Sequence, residues 1–194
     1  MTTTRVTLVA PALGRDLREA RFAGDGPLDP AARAGATAAG AELIDVPRWF
    51  CSPTGRCRDT ARALRAAADP RPVAEPPALA GLDVGRWRGR TLGEVSADDP
   101  AGLTAWLGDP AATPHGGESL PALRARVGTW LDGLTDEAGR VLVVAEPDVV
   151  RAALAHALDL PGPSFWRLDV EPLASVDLSG RSGRWNVRPG RPLG

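Results

Sequence analysis

Apolar positions along the chain alternate between short β-branched runs and longer stretches with helical spacing. The short runs predict strands over residues 5–10, 46–51, 140–145, 165–170, 174–178 and 184–187. Helical spacing and capping residues predict helices over residues 30–43, 52–68, 101–107, 120–134 and 148–158. Residues 12–28 and 69–100 are rich in Gly and Pro and are interpreted as irregular. Strands that alternate with helices favour an α/β sheet covered by helices on both faces.

This alternation also predicts where a ligand would bind. In open α/β sheets, ligands bind beyond the carboxyl ends of the strands. The residues that directly follow the first three strands are 10–12, 51–56 and 146–148. We therefore expect the functional site to be built from these three segments.

Composition and charge narrow the class of protein. The chain has 194 residues, a formal net charge of −1 and 43% hydrophobic residues, which is ordinary for one globular domain. This balance argues against a nucleic-acid partner and against a polybasic membrane patch. No apolar run approaches the roughly 20 residues of a membrane span. The amino terminus lacks the apolar core of a signal peptide, so a cytoplasmic location is expected.

The side-chain repertoire is restricted. All 23 basic residues are Arg, and Lys, Gln and Tyr do not occur, a pattern typical of GC-rich coding. A lysine Schiff base and a tyrosine acid are thereby excluded. Only His115 and His156 could supply an imidazole, and they lie far apart along the chain. Cys51 and Cys57 do not form a disulfide framework, so neither a metal nor a cofactor is predicted.

Four spaced segments contain motifs of a known family. They are Phe50 to Ala61 (FCSPTGRCRDTA), Leu82 to Thr91 (LDVGRWRGRT), Trp106 through Gly116-Gly-Glu-Ser119, and Val141 to Ala145 followed by Val149 to Ala152. Together, over about residues 5–187, they resemble the histidine phosphatase superfamily, also called phosphoglycerate-mutase-like. The resemblance implies one three-layer αβα domain over 1–194 with a mostly parallel central sheet and an irregular, cap-like insertion at about 69–118. Because members of the family are often dimers, it also leaves a homodimer open.

The chain departs from the family where the family's chemistry lies. The family's first strand ends in R-H-G, whose His is the phosphorylated nucleophile, whereas this chain has Ala10-Pro11-Ala12. The family's second His, in S-H-G, aligns with Glu146. The family's acid aligns with Gly81, and the nearest carboxylate is Asp83, two positions later. Of this catalytic set, only Arg56 is retained.

These departures predict that the chain has no useful histidine-phosphatase activity, since Pro11 has no imidazole nitrogen to attack phosphorus. Three functions stay open. The first is a pseudophosphatase that binds a small anionic ligand. The second is a repurposed lyase, isomerase or cyclase that acts on a small anionic metabolite, for example in secondary metabolism. In that enzyme Glu146 would be the acid/base, Arg56 the anion clamp and His115 a second proton carrier. The third is a partner-binding subunit.

Several candidate residues have two interpretations. Arg56 is either an anion anchor at a helix start or the ion-pair partner of Glu146. Pro11 either fills or reshapes the pocket. Glu118 and Ser119 either contact a ligand or cap the helix that follows. Trp87 either lines the pocket or packs within the irregular insertion at about 69–118, called the irregular lobe below.

Overall fold

The computed structural model describes residues 3–22, 24, 26–41, 43, 46–65, 72–136 and 139–188. Its six strands are β1 (Thr4–Val9), β2 (Arg48–Cys51), β3 (Val73–Ala74), β4 (Gly139–Val144), β5 (Ser175–Arg181) and β6 (Arg184–Arg188). Its α-helices are α1 (Arg15–Arg18), α2 (Pro30–Gly40), α3 (Gly55–Leu64), α4 (Leu92–Asp98), α5 (Pro100–Gly108), α6 (Leu120–Gly133) and α7 (Pro147–Ala157). Short 3-10 helices cover Pro77–Leu79, Gly85–Trp87, Leu134–Asp136 and Gly162–Arg167.

The strands form one mostly parallel sheet in the order β3-β2-β4-β1-β5-β6. The pairs β3–β2, β2–β4 and β4–β1 are parallel, and β5 and β6 continue the sheet in antiparallel fashion. The α/β class predicted from the sequence is therefore confirmed. The central position of β4 explains the apolar run of residues 141–144, because a strand that is buried on both faces must be apolar on both.

Helices cover the two faces of the sheet and create two cores. Val141 and Val143 of β4 point into the core that α6 and α7 share, whereas Leu142 and Val144 point into the core under α3. Helix α2 packs against α3 on this second face. The result is the three-layer arrangement expected from the sequence.

Some of the secondary-structure predictions made from the sequence are wrong. Residues 165–170 do not form a strand, because Gly162–Arg167 is a 3-10 helix that places Phe165 in the core. The very short β3 and the helices α1 and α4 were not predicted. Helix α3 ends at Leu64, and the predicted extension to Ala68 lies outside the described residues. None of the helices in the described part of the chain combines the length and apolarity that crossing a membrane requires.

Candidate functional site

The register of the sheet brings together the segments that follow β1, β2 and β4. Val9 of β1 and Cys51 of β2 both lie opposite Val144 of β4. Backbone hydrogen bonds extend this register one residue further, from Ser52 N to the Val144 carbonyl and from Ala145 N to the Val9 carbonyl, each 2.9 Å. The three segments in which the sequence analysis expected the site are thus brought together at one end of the sheet.

At the edge of the sheet where β1, β2 and β4 have their carboxyl ends lies an ion pair between Arg56 and Glu146. The Arg56 Nε donates to Glu146 Oε1 at 2.9 Å, and an Arg56 Nη2 hydrogen bond to Oε2 completes a two-pronged contact. The side chains are 11% and 6% exposed, so the pair is largely withdrawn from water. Of the two interpretations of Arg56, the ion pair with Glu146 is the one present in the structure.

Further donors surround the same carboxylate. Thr54 Oγ1 donates to Glu146 Oε1 at 2.7 Å, and the Cys57 thiol lies 3.4 Å from the same oxygen. Thr54 is also the N-cap of α3, where its side chain accepts from the Cys57 backbone N–H at 3.4 Å. The Glu146 backbone N–H donates to Ser52 Oγ at 3.1 Å. Each carboxylate oxygen of Glu146 therefore already accepts a hydrogen bond from within the chain.

The pKa shifts at this edge follow from burial and from the Glu146 charge. Burial alone would lower the pKa of Arg56, but hydrogen bonding and attraction from Glu146 outweigh burial and raise it. Burial, reinforced by the Glu146 charge, raises the pKa of Cys57 well above its ordinary value. Burial also raises the pKa of Cys51 to about 11. Both cysteines are therefore thiols near neutral pH, as expected for buried, unreactive cysteines.

A second carboxyl group at this edge, Asp148, lies in the predicted segment 146–148, although the sequence analysis assigned it no role. Asp148, in the first turn of α7, accepts from the Leu82 N–H at 2.5 Å and from the Val149 N–H at 2.9 Å. Burial, followed by the nearby Glu146 charge, raises the pKa of Asp148. Its place two residues after Glu146, behind a buried strand, was the available signal.

Gly81 lies directly against these two carboxyl groups. A Cβ built on Gly81 would be 3.4 Å from Glu146 Cγ and 3.5 Å from Asp148 Oδ2. A carboxylate side chain at this position would thus project toward two others. Asp83 does not take its place, because the Asp83 side chain is exposed and bonds to the Gly85 N–H and to Arg88.

The other predicted site residues lie around this edge with other contacts. Pro11 follows β1 and is buried, and its carbonyl accepts from Leu173 N at 3.4 Å. Trp87 has no exposed surface, and its ring centroid lies 5.7 Å from that of Trp106 and 5.2 Å from that of His115. His115, considered from the sequence as a second proton carrier, is buried as well.

Glu118 and Ser119 connect the irregular lobe to helix α6. Ser119 is the N-cap of α6 and accepts from Ala122 N at 3.3 Å, so its capping role is confirmed. The Glu118 carboxylate binds Arg126 through two hydrogen bonds of 3.0 and 2.7 Å. Arg126 in turn donates to the carbonyls of Ala78 and Ala80, at 2.8 and 2.9 Å. Glu118 is thus linked to the segment that leads into Gly81.

The remaining histidine lies elsewhere. His156 Nε2 is 3.1 Å from the carboxylate of Asp132, which also accepts from Trp185 Nε1 at 2.8 Å. This cluster joins α6, α7 and β6. In the part of the chain that the structure describes, no three His, Cys, Asp or Glu residues group as a metal site.

The protein is therefore an α/β protein. At the carboxyl ends of its parallel strands, it presents an arginine, Arg56, in the first turn of helix α3. The particular family follows from comparison with known proteins: the model of the histidine phosphatase superfamily (branch 1) matches residues 15–189. The chain belongs to this superfamily.

Curated relatives match part of the chain. A bifunctional protein of Mycobacterium tuberculosis is 35% identical over 131 residues, which are 66% of this chain and 35% of that protein. A glucosyl-3-phosphoglycerate phosphatase of the same organism is 34% identical over 112 residues, 53% of this chain and 49% of the relative. The matched segments therefore span about a third to a half of these relatives.

Solved structures match almost the whole fold. A mycobacterial glucosyl-3-phosphoglycerate phosphatase in complex with VO3 has a TM-score of 0.84 and 27% identity, covering 95% of this chain and 96% of that one. The same enzyme with inorganic phosphate has a TM-score of 0.81 and 25% identity, covering 95% of both chains. YhfR of Bacillus stearothermophilus, at 23% identity and a TM-score of 0.86, covers 95% of both chains and shares the fold.

Proposed function

We propose that this chain is a histidine-phosphatase-fold protein that does not perform phosphohistidine chemistry and binds a small anion only in competition with its own Glu146. The observation that carries the proposal is the buried, two-pronged pair of Arg56 and Glu146. In this pair the Glu146 carboxylate already binds the Arg56 guanidinium, which an oxyanion would need as its own hydrogen-bond donor.

The residues after β1 support the absence of phosphohistidine chemistry. Transfer through a phosphohistidine needs a neutral imidazole nitrogen in line with phosphorus. Pro11 follows β1 at the position that the family motif assigns to this histidine, and a proline ring nitrogen lies within the peptide bond. His115 is not a substitute, because its ring lies among Trp87 and Trp106 in the irregular lobe.

The charge balance at the edge supports the weak binding of anions. A phosphoryl group is stabilised by positive charge and hydrogen-bond donors around its oxygens. Here Arg56 faces Glu146, and Asp148 lies beside the same carboxylate. A carboxylate about 4 Å from a phosphoryl oxygen costs roughly 4 kcal/mol per unit charge at the effective dielectric of a partly buried site. An incoming oxyanion must therefore displace Glu146 from Arg56 before it binds.

Thermal-shift measurements test this competition. The probes are inorganic phosphate and vanadate, chosen because structural relatives carry phosphate and VO3. We expect a small stabilisation of the wild type and a larger one of Glu146→Gln, in which Arg56 no longer faces a carboxylate. At about 100 times its Kd, a ligand adds about 2.7 kcal/mol, or several degrees in a chain of this size.

The double variant Arg56→Ala/Glu146→Ala is the matched control, since it removes the guanidinium without leaving an unpaired carboxylate. It should lose the response to both anions. An equal response in the wild type and the double variant would contradict the proposal. The lack of any response in Glu146→Gln would do the same and would favour the partner-binding function.

A further inference from the structure

His115 is a fully enclosed titratable group outside the Arg56–Glu146 edge. It lies in the loop between α5 and α6, yet it is only 1% exposed. Its ring meets Trp87 and Trp106 edge-on, with centroids 5.2 and 6.3 Å away. A histidine in such surroundings is stable only as the neutral ring unless a partner compensates the charge.

The two ring nitrogens of His115 have different environments. The Nδ1 atom accepts a hydrogen bond from the Gly117 backbone N–H at 3.0 Å, so Nδ1 carries no proton. The single proton of the neutral ring is then on Nε2. This buried Nε2 has no hydrogen-bond partner among the described residues. The hydrogen bond from Gly117 thus depends on the Nδ1 lone pair.

The same loop is bound closely to the segment that carries Trp87. The His115 carbonyl accepts from Arg86 N at 3.0 Å, and Glu118 N donates to the Asp83 carbonyl at 2.7 Å. A Cβ on Gly117 would lie 2.0 Å from the Asp83 carbonyl oxygen, which shows how directly the two backbones touch. Gly116, at φ +76°, supplies the left-handed turn that this contact requires.

We propose that His115 is an acid-sensitive latch between the loop 113–119 and the segment 82–88. A proton from solvent that binds Nδ1 converts this acceptor into a donor and removes the acceptor of the Gly117 N–H. It also places a positive charge inside the aromatic cluster. Both effects release the loop, together with its contacts to Arg86 and Asp83.

The charged groups near the ring set the pH range. Burial lowers the pKa of His115, and the positive charge of Arg86 acts in the same direction, whereas the negative charge of Asp83 acts against them. Asp99 of α5 is engaged by Arg86, and Glu118 of the same loop is engaged by Arg126. The aromatic rings that complete the surroundings carry no charge.

The direction of the pH effect follows from this lowered pKa. The released loop exposes His115, which then has the ordinary pKa of about 6.5. Below that pH the released state binds more protons than the latched state, so the latch weakens as the pH falls from 6.5 toward the lowered pKa of the latched form. Within this window, the population of the released loop rises by up to about tenfold per pH unit.

Because the chain contains two histidines, the test has a built-in control. Hydrogen exchange of segment 113–119 is measured between pH 5 and 8 and normalised to the intrinsic exchange rates at each pH. The wild type and His156→Asn should lose protection in this segment as the pH falls below 6.5. In His115→Asn, the Oδ1 atom can accept from Gly117 N–H and does not titrate, so protection should stay constant.

Proton NMR titration of the two histidine Hε1 signals in the wild type gives a readout that needs no variant. The His115 signal should show no protonation near pH 6.5 while the segment stays protected. Titration of His115 near 6.5 without loss of protection would overturn the proposal. The same holds for an acid response that persists in a folded His115→Asn variant.

Discussion

Replacing Arg56 by Ala should lower the free energy of unfolding by about 3–5 kcal/mol, the usual cost of removing one partner from a buried ion pair. The reason is the state of Glu146 once the guanidinium is gone. Its side chain is 6% exposed and, among the residues that the structure describes, would keep Thr54 and Cys57 as side-chain donors. Urea unfolding of the purified variant measures the effect.

Arg58→Ala provides a matched control on the same helix. Arg58 also pairs with a glutamate, Glu75, at 2.8 Å, but the two side chains are 36% and 35% exposed. Exposed pairs contribute about 0–1 kcal/mol, so this variant should change stability little. If Arg56→Ala lowered the free energy of unfolding as little as Arg58→Ala does, the Arg56–Glu146 pair would be effectively solvated, contrary to the structure.

Replacing Trp87 by Ala should cost about 3–5 kcal/mol of stability, as expected for removing a large aromatic side chain from a core. Trp87 has no exposed surface and contacts Phe22, Trp106 and His115 at centroid distances of 5.5, 5.7 and 5.2 Å. Its loss leaves a cavity in the irregular lobe. Unfolding curves should shift to lower denaturant without a change in slope.

Leu107→Ala is the control for Trp87→Ala, because Leu107 lies in the neighbouring α5 but is 53% exposed. Its substitution should change stability by well under 1 kcal/mol, typical for a surface position. A stable Trp87→Ala protein that no longer responds to phosphate or vanadate would instead support the interpretation of Trp87 as a pocket wall.

The elements with strong local signals were predictable. Asp29 and Pro30 marked the start of α2, and the apolar run of β4 marked a strand buried on both faces. The start of α3 was predicted at residue 52, three residues before Gly55, where the helix begins. The convergence of the segments that follow β1, β2 and β4 followed from the topology rule for parallel strands. Each of these signals depends on a few residues that are neighbours in the sequence. They can therefore be recognised without knowledge of the tertiary structure.

Features that depend on tertiary contacts were not predictable. Residues 165–170 look like a strand, but Pro161 precedes and Pro163 lies in the first turn of a 3-10 helix in which Phe165 turns toward the core. The burial of His115 depends on Trp87, distant in sequence, and the position of Asp148 depends on Leu82. Local patterns contain no information about such pairings.

The comparisons show the fold and the family of this chain. Structural similarity to the mycobacterial phosphatase covers 95% of this chain at 27% identity. A core spread over two sheet faces tolerates such divergence, because volume and pattern are preserved. Chemistry rests on a few positions, and the proposed function places its loss at Pro11 and Glu146 while the fold persists.

The most direct test of the central claim is steady-state hydrolysis of phosphomonoesters, starting with p-nitrophenyl phosphate. The wild type is compared with the Arg56→Ala/Glu146→Ala double variant at equal concentration and after both are shown to be folded. We expect the wild type to show no turnover above that of the double variant. Sustained turnover by the wild type that disappears in the double variant would contradict it, since the Arg56 edge would then support phosphoryl transfer.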